Sequence, residues 1–496
     1  MDWIKNDAKW IFIYENCEDL TQKAINKLGG FLNFYIKGGL AIKTLNAVSE
    51  SELGEKNLVY VGYKKSDFAK KIINEKGLSV PSDSEGFSLA VGSSPYNEKL
   101  KIISVIANNE VGAFYGVCDL INLYFGSEIY KSATTHRYEH PEYFELALFA
   151  DLKEWKINRA PQIKRRSAWT WGHVIYDYRK YLDNLANLKF NEVVIWNDYI
   201  PFNAKEVVNY AHSLNVKVIW GFTWGWELSL IGEQELTEKV QSGYLKTLTQ
   251  KTVEKYESEY ASANADGIYF QTFTENHIDK IGEKSMAQLV TEFVNDTASA
   301  LWQKYPNLQI QFGLHATSVK NNLNELKGID KKIEIIWEDC GAFPYSYSPV
   351  QYEKYSETMA FVDNILFLRG ESENFGSVLK GMINLDWCKF VNQNGNYAMG
   401  HATSQHLNLL QASRERIWKF SQAEWIRNAD KLKNYVQKVS KNANSNIQIL
   451  LEDSLMETCH PFPLALLSEM LWDCDTDALS TVVNVAKFPS VKFANF

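Results

Sequence analysis

A (β/α)8 TIM barrel with an N-terminal α+β domain and a C-terminal helical region is the architecture this 496-residue sequence predicts, on three observations. Short apolar runs alternate with helical periodicity seven times across roughly 230 residues after Arg165, and such alternation calls for a parallel sheet covered by helices. The text before this stretch mixes strand-like and helical runs on a smaller scale. The text beyond His401 is helical in pattern. A doubly wound sheet is the alternative architecture.

Residues 1–130 hold the strand-like runs Trp10–Tyr14, Leu58–Val61 and Lys101–Ile106, and Asn109–Val117 leads into a helix with Phe114, Val117, Leu120 and Ile121 on one face. Residues 131–162 contain His136, His140, Pro141 and Pro161 without sustained periodicity and read as a connector. The barrel is expected over 163–400. Its first strand is Ser167–Trp171, followed by a helix with Tyr178, Tyr181, Leu182, Leu185 and Leu188 on one face. The second is Glu192–Trp196, after which Asn203 with Glu206 suggests a helix cap. Val216–Trp220, Gly267–Phe273, Leu308–Leu314, Ile333–Trp337 and Asn364–Leu368 supply strands three to seven, and the eighth falls near Asp386–Val391 or Tyr397–Gly400. Residues 401–496 form the helical region, with Leu464, Leu467, Met470 and Leu471 at helical spacing.

Composition narrows the function classes. With 45% hydrophobic and 23% charged residues the chain can bury a large core, which excludes wholesale disorder. Its 52 basic and 60 acidic residues give a net charge of −8 without basic blocks, so nucleic acid is not an expected partner. No stretch of eighteen apolar residues and no secretory pattern follows Met1, so no membrane partner and a cytoplasmic location are expected. The six cysteines form no C-x-x-C pair and read as buried thiols. Aromatics make 14% of the chain, enough to wall a sugar site or simply to fill a core.

Barrel enzymes place their chemistry just after the strands. The residues there are Trp169, Trp171 and His173, then Asn197 and Asp198, Trp224 and Trp226, Glu275 and His277, His315, Glu338 and Asp339, and Arg369, Glu371 and Glu373. A carboxylate ending an apolar strand is costly to desolvate unless used or paired, which puts Glu275 first. Glu338, Asp339 and Glu371 are the other catalytic candidates. Trp169, Trp171, Asn197, Asp198, Trp224, Gln271, His277, Arg369 and Glu373 are candidate sugar contacts. The histidines lack metal-ligand spacing, and G-x-S-x-G, G-x-G-x-x-G and P-loop patterns are absent, so no metal and no cofactor are expected. Carboxylates in an aromatic-walled cavity suit glycosidic cleavage, in which one acid protonates the leaving oxygen and a second carboxylate assists.

The Ser84–Leu89 strand and the Gly112–Val117 helix start resemble the domain that precedes the barrel in family 67 α-glucuronidases and family 20 hexosaminidases. Gly267–Glu275, ending Thr274-Glu275, is similar to the fourth strand of family 67, and Asp363–Leu368 resembles its seventh. The resemblance implies Glu275 as general acid and a base at Glu371 or Glu373, with Asp386 behind them. Gln271 stands where family 67 has a uronate-binding lysine, and Thr274 where family 20 has an aspartate, which implies a related but distinct group of glycoside hydrolases. The expected function is therefore exo-acting hydrolysis of an oligosaccharide. A non-catalytic carbohydrate-binding barrel is the alternative, and a sugar isomerase or lyase a third.

Overall fold

The computed structural model describes residues 9–15, 19–36, 39–129, 152–171, 175–196, 200–314, 318–338, 362–363, 366, 369–370, 373–379, 419, 422–451, 454–457 and 459–493. The chain divides into two compact units, Met1–Pro161 with Ser480–Val491, and Gln162–Leu479 with Lys492–Phe496.

In the first unit six strands, β1 (Trp10–Tyr14), β2 (Leu40–Thr44), β3 (Asn57–Tyr63), β4 (Phe87–Ser94), β5 (Asn97–Ala107) and β6 (Trp155–Arg159), form one sheet in the order β2-β1-β3-β5-β4-β6. β1, β2, β3 and β5 run parallel, whereas β4 is antiparallel to both β5 and β6. β6 lies inside the expected connector. Its sequence, Trp-Lys-Ile-Asn-Arg, alternates with polar residues because it is an edge strand, so it offers no apolar run to read. Arg159 ends it and donates to Asp119 at 2.6 Å, both side chains buried.

The second unit is a closed parallel barrel of eight strands: β7 (Arg165–Trp171), β8 (Glu192–Trp196), β9 (Lys217–Thr223), β10 (Gly267–Gln271), β11 (Gln309–Leu314), β12 (Glu334–Trp337), β13 (Asn374–Leu379) and β14 (Asn444–Leu451). The first six fall where the apolar runs place them, within a few residues. The last two do not. Of the stretch expected as strand seven only Leu366 is described; it is helical, with Gly370 N–H bonded to its C=O at 2.7 Å, and the ladder takes its seventh strand from further along the chain. The true seventh strand, Asn-Phe-Gly-Ser-Val-Leu, is interrupted by glycine and serine. The eighth, Asn-Ser-Asn-Ile-Gln-Ile-Leu-Leu, alternates polar and apolar, and lies in the region expected to be helical only. The barrel thus extends past residue 400, and the helices Ala429–Val439 and Phe462–Trp472 flank its closing strand.

Strand pleating points alternate residues inward. At the N-terminal end the inward side chains are polar. Glu192, fully buried, accepts from Ser167 Oγ at 2.6 Å, Gln311 Nε2 at 2.9 Å and Asn446 Nδ2 at 3.0 Å, and Arg165 lies 3.9 Å away. Arg165 also pairs with Glu334. Above this layer Trp169, Val194, Trp196, Ile219, Tyr269, Ile336, Val378 and Leu450 form an apolar plug.

One local expectation changes. Asn203 precedes the helix Ala204–His212 but makes no side-chain cap bond, because its backbone (φ −101°, ψ 34°) is not the extended form a cap requires. A reciprocal capping box stands instead at Ser285 and Gln288, before the helix Met286–Lys304. No helix among the described residues is long and apolar enough to cross a membrane.

At the N-terminal end of β9 and β10, Asp266 Oδ2 accepts from Val218 N–H at 2.9 Å and meets His212 Nε2 at 2.8 Å. The Asp266 hydrogen bond holds the His212 imidazole above its ordinary value, against its partial burial. Burial pushes the Asp266 carboxyl up, but the bonds from His212 and Val218 outweigh it and leave it below the ordinary range. A raised histidine contributes stability below its unfolded pKa and loses it as pH rises through the folded one, while a lowered aspartate loses its share in acid. Asp266→Asn is therefore expected to lower the thermal midpoint most near about pH 5–6, and the gap to the unmodified protein should narrow towards about pH 8–9 in circular dichroism melts. A gap independent of pH would contradict the pairing.

Candidate functional site

The C-terminal mouth of the barrel is built first by β10 and the segment that follows it. β10 ends at Gln271, so Glu275 lies four residues beyond the ladder and not at its last rung. Thr272, Phe273 and Thr274 are buried, and Ser318 Oγ donates to Thr274 C=O at 2.6 Å. Asn276 closes a tight turn, donating to Phe273 C=O at 2.6 Å and accepting from Ile278 N–H at 2.8 Å. Between these two anchors Glu275 is exposed, so desolvation is not what distinguishes it. Trp226 Nε1 donates to Glu275 Oε2 at 2.7 Å. Gly225, at φ +84°, makes the turn that carries the chain from β9 to Trp226, a conformation that disfavours a side chain; a Cβ there would also press on Leu248 at 2.8 Å.

A cavity of about 550 Å³ opens beside this segment, lined by Ser229, Ile231, Glu233, Glu275, Asn276 and His277 among others. Ser229 Oγ is buried without a protein hydrogen-bond partner, leaving it available for a ligand hydroxyl.

A further carboxylate at this end of the barrel comes from β12. Glu334, Ile336 and Glu338 alternate inward, and Glu338, one residue past the strand, is fully buried. It reaches across β11 to β10, where Tyr269 Oη donates to Oε1 at 2.5 Å and Gln271 Nε2 donates to Oε2. β11 presents Gly313 at the crossing. A methyl group there would overlap Glu338 Oε1 and come within 2.7 Å of the Tyr269 hydroxyl. Sequence reading overlooked both Tyr269, which looked like an ordinary strand residue, and Gly313, whose role depends on a neighbour two strands away.

The remaining candidates separate. Trp169 is buried in the apolar plug, 5.4 Å from the Tyr269 ring, below the mouth. Trp224 is buried and stacks at 4.0 Å on Phe270, whose parity is opposite to that of inward Tyr269, so it packs behind the barrel wall. Gln271 is held to Glu338, and His277 stands exposed at the cavity rim. Arg369 and Glu373 precede β13, which puts them at the opposite end from the mouth. Starting strand seven at Asn374 and not at Asn364 reverses the end to which these residues belong. Arg369 is buried and donates to the carbonyls of Ile329 at 3.1 Å and Ile333 at 2.8 Å, with Glu373 3.4 Å from its Nε. Burial pulls the guanidinium below its ordinary range, opposed by Glu373 and Asp330. Trp171 is described as β7 backbone only, and Asn197, Asp198, Asp339, Glu371 and Asp386 lie outside the described residues. Among the described residues no group of three or more potential ligands is arranged to hold a metal.

No family model and no curated protein sequence matches the chain. Among solved structures it is similar to a Streptomyces plicatus β-hexosaminidase mutant in complex with product GlcNAc, at 11% identity and TM-score 0.47, covering 96% of this chain and 90% of that one. It is also similar to the family 20 β-N-acetylhexosaminidase of Streptomyces coelicolor A3(2), at 12% identity and TM-score 0.46, covering 97% and 92%. A third is the family 20 exo-β-N-acetylglucosaminidase of Vibrio harveyi with N-acetylglucosamine, at 10% identity and TM-score 0.41, covering 98% and 73%. The barrel itself is established by its own strand pairing.

Gly313→Ala is expected to destabilise the protein by about 1–3 kcal/mol, the usual range for overpacking a filled interior, and to displace Glu338. An unchanged denaturant midpoint would show that the carboxylate has room to move. Arg369→Met should likewise lower that midpoint, by leaving buried carbonyls unpaired at about 1–3 kcal/mol, while leaving sugar affinity unaltered in a binding titration.

Proposed function

We propose that the chain is a glycoside hydrolase that removes sugars from the ends of oligosaccharides, with Glu275 as general acid and Glu338 as the second carboxylate. The observation that carries this reading is the meeting of β12 with β10. Glu338 is bonded to Gln271, four residues before Glu275, so a buried and an exposed carboxylate belong to the same end of the barrel, and Glu275 lines the cavity there. Acid-assisted glycosidic cleavage needs such a pair, one group to protonate the departing oxygen and one to face the positive charge that develops on the ring. Glu275 is exposed at the mouth, and the Trp226 indole N–H holds one oxygen of its carboxylate. A cavity of about 550 Å³ suits one or two sugar rings and favours action at chain ends.

The sugar is more consistent with a neutral than a uronic residue. Gln271, at the position of the uronate-binding lysine in the family 67 pattern, is occupied with Glu338, and Arg369 sits at the far end of the barrel.

Removing a general acid costs roughly 10²–10⁴ in rate. Glu275→Gln is accordingly expected to lose about that factor on a natural glycoside, and far less on an aryl glycoside whose leaving group departs without a proton. Equal losses on both substrates would remove Glu275 from the acid role.

A further inference from the structure

We propose that Tyr176, Phe202 and Leu230 form a rim on the barrel mouth that binds the rings of a neutral oligosaccharide lying beyond the cavity at Glu275, so that the protein prefers chains of several rings to short ones. The proposal rests on the glycosidase reading for its consequence, and on the exposure and placement of these three side chains for its evidence. Phe202 is wholly exposed, and Tyr176 and Leu230 are 61% and 68% exposed. Apolar residues standing singly on a surface need no explanation, but several on adjoining loops at one end of a barrel mark a contact surface. Tyr176 lies between β7 and the helix Tyr178–Asn187, Phe202 between β8 and the helix Ala204–His212, and Leu230 between β9 and the helix Glu233–Gln241. In the closed ladder β7, β8, β9 and β10 are successive neighbours, so these three loops and the one carrying Glu275 stand side by side at the C-terminal end.

Ordered backbone holds each of the three outward. Tyr176 and Asp177 N–H donate to the two oxygens of Glu457 at 3.0 and 3.1 Å, which ties the loop after β7 to the segment beyond the closing strand β14. Phe202 follows Pro201, whose carbonyl accepts from Ala204 N–H at 3.0 Å in a tight turn. An apolar residue just before a helix cap commonly packs on the fourth helical residue. Phe202 stands in that place, with Val207 positioned to receive it, yet its full exposure shows that the contact is not made. Leu230 ends the short 3-10 helix Trp226–Leu230, which Leu228 anchors in the interior. The rim is continuous with the cavity. Leu230 lies between Ser229 and Ile231 of the cavity wall, and Trp226, at the start of the same turn, donates to Glu275. A cavity of about 550 Å³ takes one or two rings, so further rings must leave over the adjoining loops. The faces of a sugar ring carry C–H groups that cover apolar side chains while the hydroxyls at its edge stay in water, an arrangement that aromatic side chains suit. Glu227, Glu233 and Glu275, all exposed on the loops after β9 and β10, give this flank a negative charge that disfavours a polyanionic chain and fits a neutral one.

The test is calorimetric titration of the Glu275→Gln protein with cello-, malto- and N-acetylchito-oligosaccharides of about two and about six rings, repeated with Phe202→Ala and with Tyr176→Ala in the same background. The expected result is that the longer chain of one series binds about tenfold tighter than its shorter member, and that each substitution removes about fivefold of that gain, the loss that follows when one apolar face of contact returns to water. Both side chains are exposed, so the variants should fold as the parent does. Equal affinity for short and long chains in every series overturns the proposal, as does a length advantage that neither substitution reduces, or the absence of binding by every chain. Sedimentation velocity on the same proteins covers the other occupant of an apolar rim. Self-association that Phe202→Ala abolishes would assign the surface to a second copy of this chain and overturn the sugar assignment. Turnover of the longer chains by the unmodified protein separates the rim from the reading on which it rests. A length advantage that the substitutions remove, in a protein that cleaves no glycoside, would refute the hydrolase reading and leave the rim standing. Cleavage without any length advantage would do the reverse.

Discussion

Closure of the parallel ladder between Arg165–Thr170 and Asn446–Leu451 is the constraint on which everything else in the second unit depends. Once first and last strands pair, the pleat decides which side chains enter the barrel, and only one parity is available to each strand. That parity places a polar layer around Glu192 at one end, an apolar plug in the middle and Gln271, Gly313 and Glu338 at the other. Glu192 reinforces the closure directly, since its acceptors bind Ser167 on the first strand, Asn446 on the last and Gln311 across the interior. A buried carboxylate without such donors would cost more than the ladder around it could offset.

The mouth inherits its rigidity from the same ladder. Tyr269 belongs at once to the plug, through its ring against Trp169 and Trp196, and to the site, through its hydroxyl on Glu338. Its position is therefore set by packing and not by a loop, and the carboxylate it holds is located to the accuracy of the core. Glu275 is different in kind. It stands on an irregular segment pinned by Ser318 and Asn276, and the Trp226 indole N–H bonds its carboxylate.

Six of the eight barrel strands were legible because each is a run of apolar residues between helical segments, such as Glu192–Trp196. Asn374–Leu379 and Asn444–Leu451 were not, because their inward positions, Gly376, Asn446 and Gln448, belong to the polar end and the narrow part of the barrel. That leaves no continuous apolar run. The apolar run Asn364–Leu368 has the composition of a buried strand, but the ladder pairs Asn374–Leu379 in the seventh place. This one displacement moved Arg369 and Glu373 from the far end to the mouth. Glu275 and Glu338 lie past strands four and six, as their positions in the sequence imply, whereas Trp226, Tyr269 and Gly313 meet them across strands that no spacing in the sequence connects. Trp224 and Trp169 show the converse. Aromatic residues near a strand end fill the wall and plug as readily as they face a sugar.

The central claim is that this mouth cleaves glycosidic bonds, and proton NMR of the protein with a panel of neutral, N-acetylated and uronic-acid oligosaccharides tests it most directly. A new reducing-end signal from a neutral or N-acetylated member, lost in Glu275→Gln and in Glu338→Gln, is the predicted result, and its first anomer would report the stereochemical course. Line broadening of a sugar without any new signal across the panel would contradict the claim and identify a binding protein instead.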